Sequence, residues 1–262
     1  MRQRRLAGPA LVMLTACLAG CGAAGGGVSV QTPPDPPTAS AENAQAPPTA
    51  GPSLAAATVP ATPTTPATLS EPTVRQWPIP YGARRKREMA AYSLRHYGES
   101  TYVLAAPKVV VEHFTETATA QEAFNTFAPD VPDSEFHELP NTCAHFLVEA
   151  NGTIDELVPL RLRCRHTTGL NWTAIGIENV GFSDREILDN HRQLAASLRL
   201  TRWLRCRYGI ALRNIIGHNE SLSSPYHHDR VPAFQHQTHS DWQHSDMVRY
   251  RALLARLPCP VA

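Results

Sequence analysis

The chain has 262 residues, with 24 Lys and Arg against 23 Asp and Glu, for a formal net charge of +1. That balance leaves no basic footprint for nucleic acid, and no internal repeat suggests a solenoid or propeller. Residues 22 to 72 are dominated by Ala, Pro, Thr, Gly and Ser, too poor in large apolar side chains to build a core.

In chain order, Arg2, Arg4 and Arg5 precede an apolar run from Leu6 to Ala19. The run is too short to span a bilayer and is followed by glycine and proline, so residues 1–21 are expected to be a secretory signal. Leu18-Ala19-Gly20-Cys21 matches the bacterial lipobox, in which the cysteine is diacylated and becomes the mature N-terminus; Leu14-Thr15-Ala16-Cys17 fits more loosely. The expectation is a lipoprotein anchored through Cys21 to the extracytoplasmic side of a membrane, without spanning it. Residues 22–74 would form a disordered tether and residues 75–262 a single folded domain. Beyond the signal the cysteines are Cys143, Cys164, Cys206 and Cys259. In an exported chain they imply two disulfides. Three pairings are open, of which Cys143–Cys164 and Cys206–Cys259 are favoured.

Within the domain, the spacing of Met89, Tyr92, Leu94 and His96-Tyr97 predicts a helix over 84–97, stopped by Gly98. Tyr102–Leu104 could form a short strand. Lys108–His113 is a β-branched run of the kind found in buried central strands. Thr119-Ala120-Gln121-Glu122 is a capping box opening a helix to about Phe127, and a proline-rich acidic loop follows to Asn141. Residues 144–148 and 154–158 flank Asn151-Gly152, a strong hairpin signal. Trp172–Gly181 reads as another core strand, although Glu178 lies within its apolar pattern, where a carboxylate is costly unless paired, hydrogen-bonded or metal-linked. Ser183-Asp184-Arg185-Glu186 predicts a second capping box and one long amphipathic helix to about Arg207, ended by Tyr208-Gly209. Ile215-Ile216 would be a strand, and Met247–Leu257 a last helix. Strands alternating with helices, plus one hairpin, give an α/β domain with a central mixed sheet flanked by helices.

Histidine marks the candidate site. Half of the chain's 12 histidines fall between His218 and His244. His113 and His218 each stand at the end of a predicted strand, and imidazole and carboxylate are both good ligands for a cation such as zinc. A His-Glu-x-x-His motif is absent. His145 reads as a buried, hydrogen-bonded histidine.

Taken in order, Val109-Val110-Val111-Glu112-His113, His145-Phe146-Leu147-Val148 with Asn151-Gly152-Thr153-Ile154, Arg165-His166, Ile175-Gly176-Ile177-Glu178 and Gly217-His218 resemble the zinc N-acetylmuramoyl-L-alanine amidases of the type 2 amidase and peptidoglycan-recognition-protein fold. The resemblance covers about residues 108–257. It implies one zinc ion per chain, held by His113, His218 and Asp241. It also implies Glu178 as the acidic catalytic residue, His166 lining the substrate groove, and His239 standing where relatives carry a lysine. The third ligand departs from the family pattern, because Trp242 replaces the usual Pro-Gly after the ligand. His239, Asp229 and His227 are the alternatives. The implied activity is cleavage of the amide between N-acetylmuramic acid and L-alanine in peptidoglycan by a monomer. The rival reading is a peptidoglycan-binding module that has lost catalysis.

Overall fold

The computed structural model describes residues 69–260; the expected signal, Cys17, Cys21 and the tether up to residue 68 lie outside them. Residues 69–74, assigned above to the tether, lie against the domain, where Leu69 and Val74 pack on the main core. Among the described residues no helix is long and apolar enough to cross a membrane.

Among the described residues six strands form one mixed sheet: β1 (Arg75–Gln76), β2 (Val109–Phe114), β3 (Phe146–Val148), β4 (Ile154–Glu156), β5 (Ala174–Asn179) and β6 (Ile215–Gly217). Their spatial order is β1-β4-β3-β5-β2-β6. Only β3 and β4, the hairpin around Asn151-Gly152, pair antiparallel; every other pairing is parallel. The mixed α/β architecture read from the sequence is the one found.

Side-chain alternation decides what each face of the sheet carries. On β2, Val110 joins the core beneath the long helices, whereas Val109 and Val111 belong to a separate cluster on the opposite face. On β5, Ile175 and Ile177 share the helix side with Val110, and Ala174 lies with Val109 and Val111. On β6, Ile215 and Ile216 divide in the same way. Continued in steps of two from Val111, Ala174 and Ile216, the period places His113, Glu178 and His218 on the face away from the helices. All three stand at the carboxyl ends of parallel strands, where open α/β sheets bind ligands.

The helix face is covered by α4 (His191–Tyr208) and α5 (His244–Ala255). Leu200 and Leu204 of α4 are fully buried there, each worth roughly 1.5–3 kcal/mol in apolar burial. The single helix expected from Ser183 to Arg207 is instead two, α3 (Asp184–Asp189) and α4. Asn190 makes the break: its side chain accepts from the Arg192 and Gln193 amides as the cap of α4 and donates to the Ala150 carbonyl, so a capping residue outcompetes helix continuation. The second capping box is also half-made. Ser183 accepts from the Glu186 amide, but Glu186 turns to the amide of Phe182.

The other elements follow their local signals. α1 (Ala83–Tyr97) ends at Gly98 with φ 82, and α4 ends at Gly209 with φ 64, left-handed positions that glycine takes without steric cost. Leu94, counted above toward the apolar face of α1, is 50% exposed. α2 (Ala120–Phe127) opens on a complete capping box at Thr119. The strand expected at Tyr102–Leu104 reduces to a single bridge between Val103 and Leu162. Both favoured disulfides form, Cys143–Cys164 and Cys206–Cys259. The second joins residues 53 positions apart, a loop whose closure entropy corresponds to about 4 kcal/mol.

Candidate metal centre and cleft

His113, His218 and Asp241 converge, each offering a ligand atom, with those atoms within 4.8 Å of one another. Strand register builds two of the three. His113 closes the buried part of β2, and Glu112 pairs with Gly217, so His218 lies beside His113, with ring centroids 4.7 Å apart. Asp241 arrives from a loop. Its Oδ2 accepts from His113 Nδ1 at 3.1 Å, and its Oδ1 lies 3.3 Å from His218 Nδ1. The alternatives named from the sequence go elsewhere. Asp229 is buried against His96, 2.8 Å from its Nδ1, while Glu138 takes the other ring nitrogen at 2.8 Å. His227 packs on Gly169.

The electrostatics follow from burial and proximity. Burial works against the Asp241 carboxylate, but the two imidazoles hold it well below the usual carboxylate range. Burial pushes His218 down to about 4. In His113 the burial penalty is outweighed by Asp241 and Glu178, and the imidazole is raised. The other ring nitrogen of His218, Nε2, is buried with no hydrogen-bond partner among the described residues. Two imidazoles whose Nδ1 atoms face one carboxylate fit a zinc ion held by three protein ligands with a position left open.

Glu178 stands directly across from His113 in the β2–β5 register. It is buried, and its Oε2 has no partner. Burial pushes the carboxyl up to about 7, with His113 opposing the shift. No arginine or lysine pairs with Glu178 among the described residues, so the costly carboxylate noticed in the sequence is not part of an ion pair.

His166 sits behind His113. Its Nε2 donates to the Ala174 carbonyl at 3.3 Å, and its Nδ1 lies 3.2 Å from His113 Nε2. The ring lies flat on Gly176, where an added Cβ would come within 2.5 Å of it; the glycine of the Ile-Gly-Ile-Glu strand makes room for this histidine. Burial, then the neighbouring His113, holds His166 well below its ordinary value. Thr167 Oγ1, 3.2 Å from His113 Nε2, is a contact the sequence reading missed. His239 is exposed at the rim, stacked on His218 at 4.7 Å and 3.1 Å from Glu135 Oε2 through its Nε2. His145 is buried as expected; its Nε2 pairs with the Leu162 carbonyl, and its Nδ1 accepts from the Gly176 amide. The basic stretch before His166 is buried: Arg163 and Arg165 are both inside, and Arg165 pairs with Asp133.

His113, His166, Glu178, His218, His239 and Asp241 line an open cleft of roughly 340 Å³ that also takes in Glu116, Phe136, Asn141 and Thr168. The family described as Amidase_2, N-acetylmuramoyl-L-alanine amidase, matches residues 104–242, just over half of the chain. The chain belongs to that amidase family. The matched span runs from ahead of β2 to Trp242, so it contains His113, His166, Glu178, His218, His239 and Asp241. No curated protein matches this amidase. Among solved structures it is similar to the E. coli amidase AmiD in complex with the substrate anhydro-N-acetylmuramic acid-L-Ala-D-gamma-Glu-L-Lys, at 25% identity over 44% of this chain and 50% of that one, with a TM-score of 0.34. It is also similar to AmpD in a selenomethionine form, at 17% identity over 68% and 93% of the two chains with a TM-score of 0.42. An endolysin amidase from Clostridium intestinale is 22% identical over 46% and 77%, with a TM-score of 0.35.

Proposed function

We propose that the chain is a zinc-dependent N-acetylmuramoyl-L-alanine amidase that cleaves the bond between the lactyl group of N-acetylmuramic acid and the L-alanine of the stem peptide. Family membership supports the reaction class. The single observation that carries zinc dependence is the convergence of His113, His218 and Asp241, whose ligand atoms lie within 4.8 Å of one another with both Nδ1 atoms facing the one carboxylate. Zinc held by these residues supplies Lewis acidity that polarises the scissile carbonyl and makes water a nucleophile at neutral pH. Glu178, a buried carboxylate with a free oxygen, accepts the proton of the attacking water and passes it to the leaving amine. His239, at the rim over His218, donates a hydrogen bond to the oxygen that gains charge as the carbonyl becomes tetrahedral. His166 fixes the orientation of His113 from behind and forms part of the groove wall.

Metal content and wall hydrolysis of the purified chain test this directly. One zinc per chain is expected, with new L-alanine amino termini released from peptidoglycan; chelation should stop release and added zinc restore it. His113→Ala and His218→Ala should lose both metal and release. Peptidoglycan binding with neither zinc nor cleavage would make the chain a recognition module instead.

The lipobox at Leu18–Cys21 supports a second proposal, that the amidase acts from a lipid anchor on the extracytoplasmic side of a membrane and reaches its polymer through the tether. Labelled fatty acid should enter the wild-type chain and not Cys21→Ser. Label that survives in Cys21→Ser and disappears in Cys17→Ser would move the anchor to Cys17.

A further inference from the structure

We infer that Asp184, the first residue of α3, is a positioning residue for the metal ligand Asp241, acting through the backbone of the turn that follows it. This rests on the reading of His113, His218 and Asp241 as the zinc site. The turn is unusual because Trp242 sits at φ 55, a left-handed conformation that a bulky aromatic side chain adopts only where its surroundings impose it. The resemblance leads one to expect Pro-Gly at this point, yet proline can neither reach that φ nor offer an amide proton. Here both residues after the ligand donate.

The amide of Trp242 donates to Asp184 Oδ1 at 2.8 Å, and the amide of Gln243 to Oδ2 at 2.6 Å. The Asp184 carboxylate is buried, forms no salt bridge among the described residues, and commits both oxygens to this one turn from 58 residues away. Hydrogen bonds to an ionised acceptor are the strong kind. Two further features close the turn. The Asp241 carbonyl accepts from the Asn219 amide at 2.9 Å. The Trp242 ring is wholly buried against Tyr250, and its backbone lies so close to Gly217 that a Cβ there would overlap it. Among the described residues Asp184 is the only side chain holding the two amides, so it decides whether the Asp241 carboxylate is already aimed at the two imidazoles before a metal arrives. Groups that orient a ligand in this way typically contribute 10–100-fold to metal affinity.

The test is zinc affinity of the full chain, measured by competition with a chromogenic chelator. Asp184→Asn sets an amide donor against a backbone donor and is expected to weaken zinc binding by about 10–100-fold; Asp184→Ala, which removes both acceptors without that clash, should do the same. Glu186→Gln is the control. It removes the other acidic residue of the first turn of α3 but touches Phe182 and not the 242–243 turn, and its affinity should equal wild type. Melting of the metal-free proteins, followed by circular dichroism, is read alongside. Equal affinity in Asp184→Asn and wild type overturns the inference, as does an equal loss of affinity and melting temperature in Asp184→Asn and Glu186→Gln, since both would then report only on the start of the helix. Failure of wild type itself to bind zinc overturns the reading of the site.

Discussion

Glu178→Gln is expected to lower kcat for amide cleavage by about 10²–10⁴-fold, the range of a lost general acid–base, while zinc content stays at the wild-type level. The substitution keeps the shape of the side chain but removes its capacity to take and return a proton. Position argues for this role over a structural one. Glu178 faces the cleft opposite His113, keeps one oxygen without a partner, and pairs with no cation among the described residues. A carboxylate buried in that way is a cost to the fold. Glutamine should therefore melt no lower than wild type, the signature of a residue kept for activity at the expense of stability. Steady-state rates on soluble muropeptides, zinc content and a thermal melt decide the matter together. A kcat within tenfold of wild type would remove Glu178 from the proton pathway, and a loss of zinc would make it a ligand or a support for one.

The sheet and the site were legible in the sequence wherever a short-range pattern carried the information. Alternation in Val109–His113 and Ala174–Asn179 fixes which face His113 and Glu178 occupy. Asn151-Gly152 fixes the hairpin, and Gly98 and Gly209 stop their helices. Other features depend on a distant partner that no local pattern reveals. Arg75-Gln76 became a strand because Asp155 and Glu156 lie alongside them. Asn190 broke the long helix because the Ala150 carbonyl was there to receive its amide group. Whether Asp241 or His239 comes to lie between the two imidazoles depends on which way the chain turns at Trp242, where both following amides donate to the distant Asp184. One signal was available and unused: Glu112 interrupts a β-branched run just as Glu178 does. A charged residue in a buried strand implies a partner on whichever face it points to.

For Glu112 that face is the helix side, and Glu112→Ala is expected to cost about 3 kcal/mol of stability. The carboxylate is completely buried. One oxygen accepts from Thr201 at 2.7 Å and Tyr250 at 2.9 Å, the other from Asn179 at 3.0 Å and Ser197 at 3.3 Å. It thereby joins β2, β5, α4 and α5 at one point, directly behind His113, and Asn179 Nδ2 also donates to the His113 carbonyl at 3.1 Å. The hydroxyls of Ser197 and Thr201 lie 2.8 and 3.0 Å from that of Tyr250, so after truncation they can still pair among themselves. What remains lost is the packing of the side chain and the acceptors for two protons, which sets the estimate below the sum of four separate bonds. Glu112→Gln separates charge from shape. Burial raises the Glu112 carboxyl above its ordinary value, and a neighbouring hydroxyl can rotate to accept from the new amide. Its cost should stay below about 1 kcal/mol. Urea unfolding of the two variants beside wild type measures both. An alanine variant within 1 kcal/mol of wild type would show that the hydroxyl cluster holds the helices to the sheet unaided, and a glutamine variant as unstable as alanine would show that the negative charge itself is what the cluster is built around.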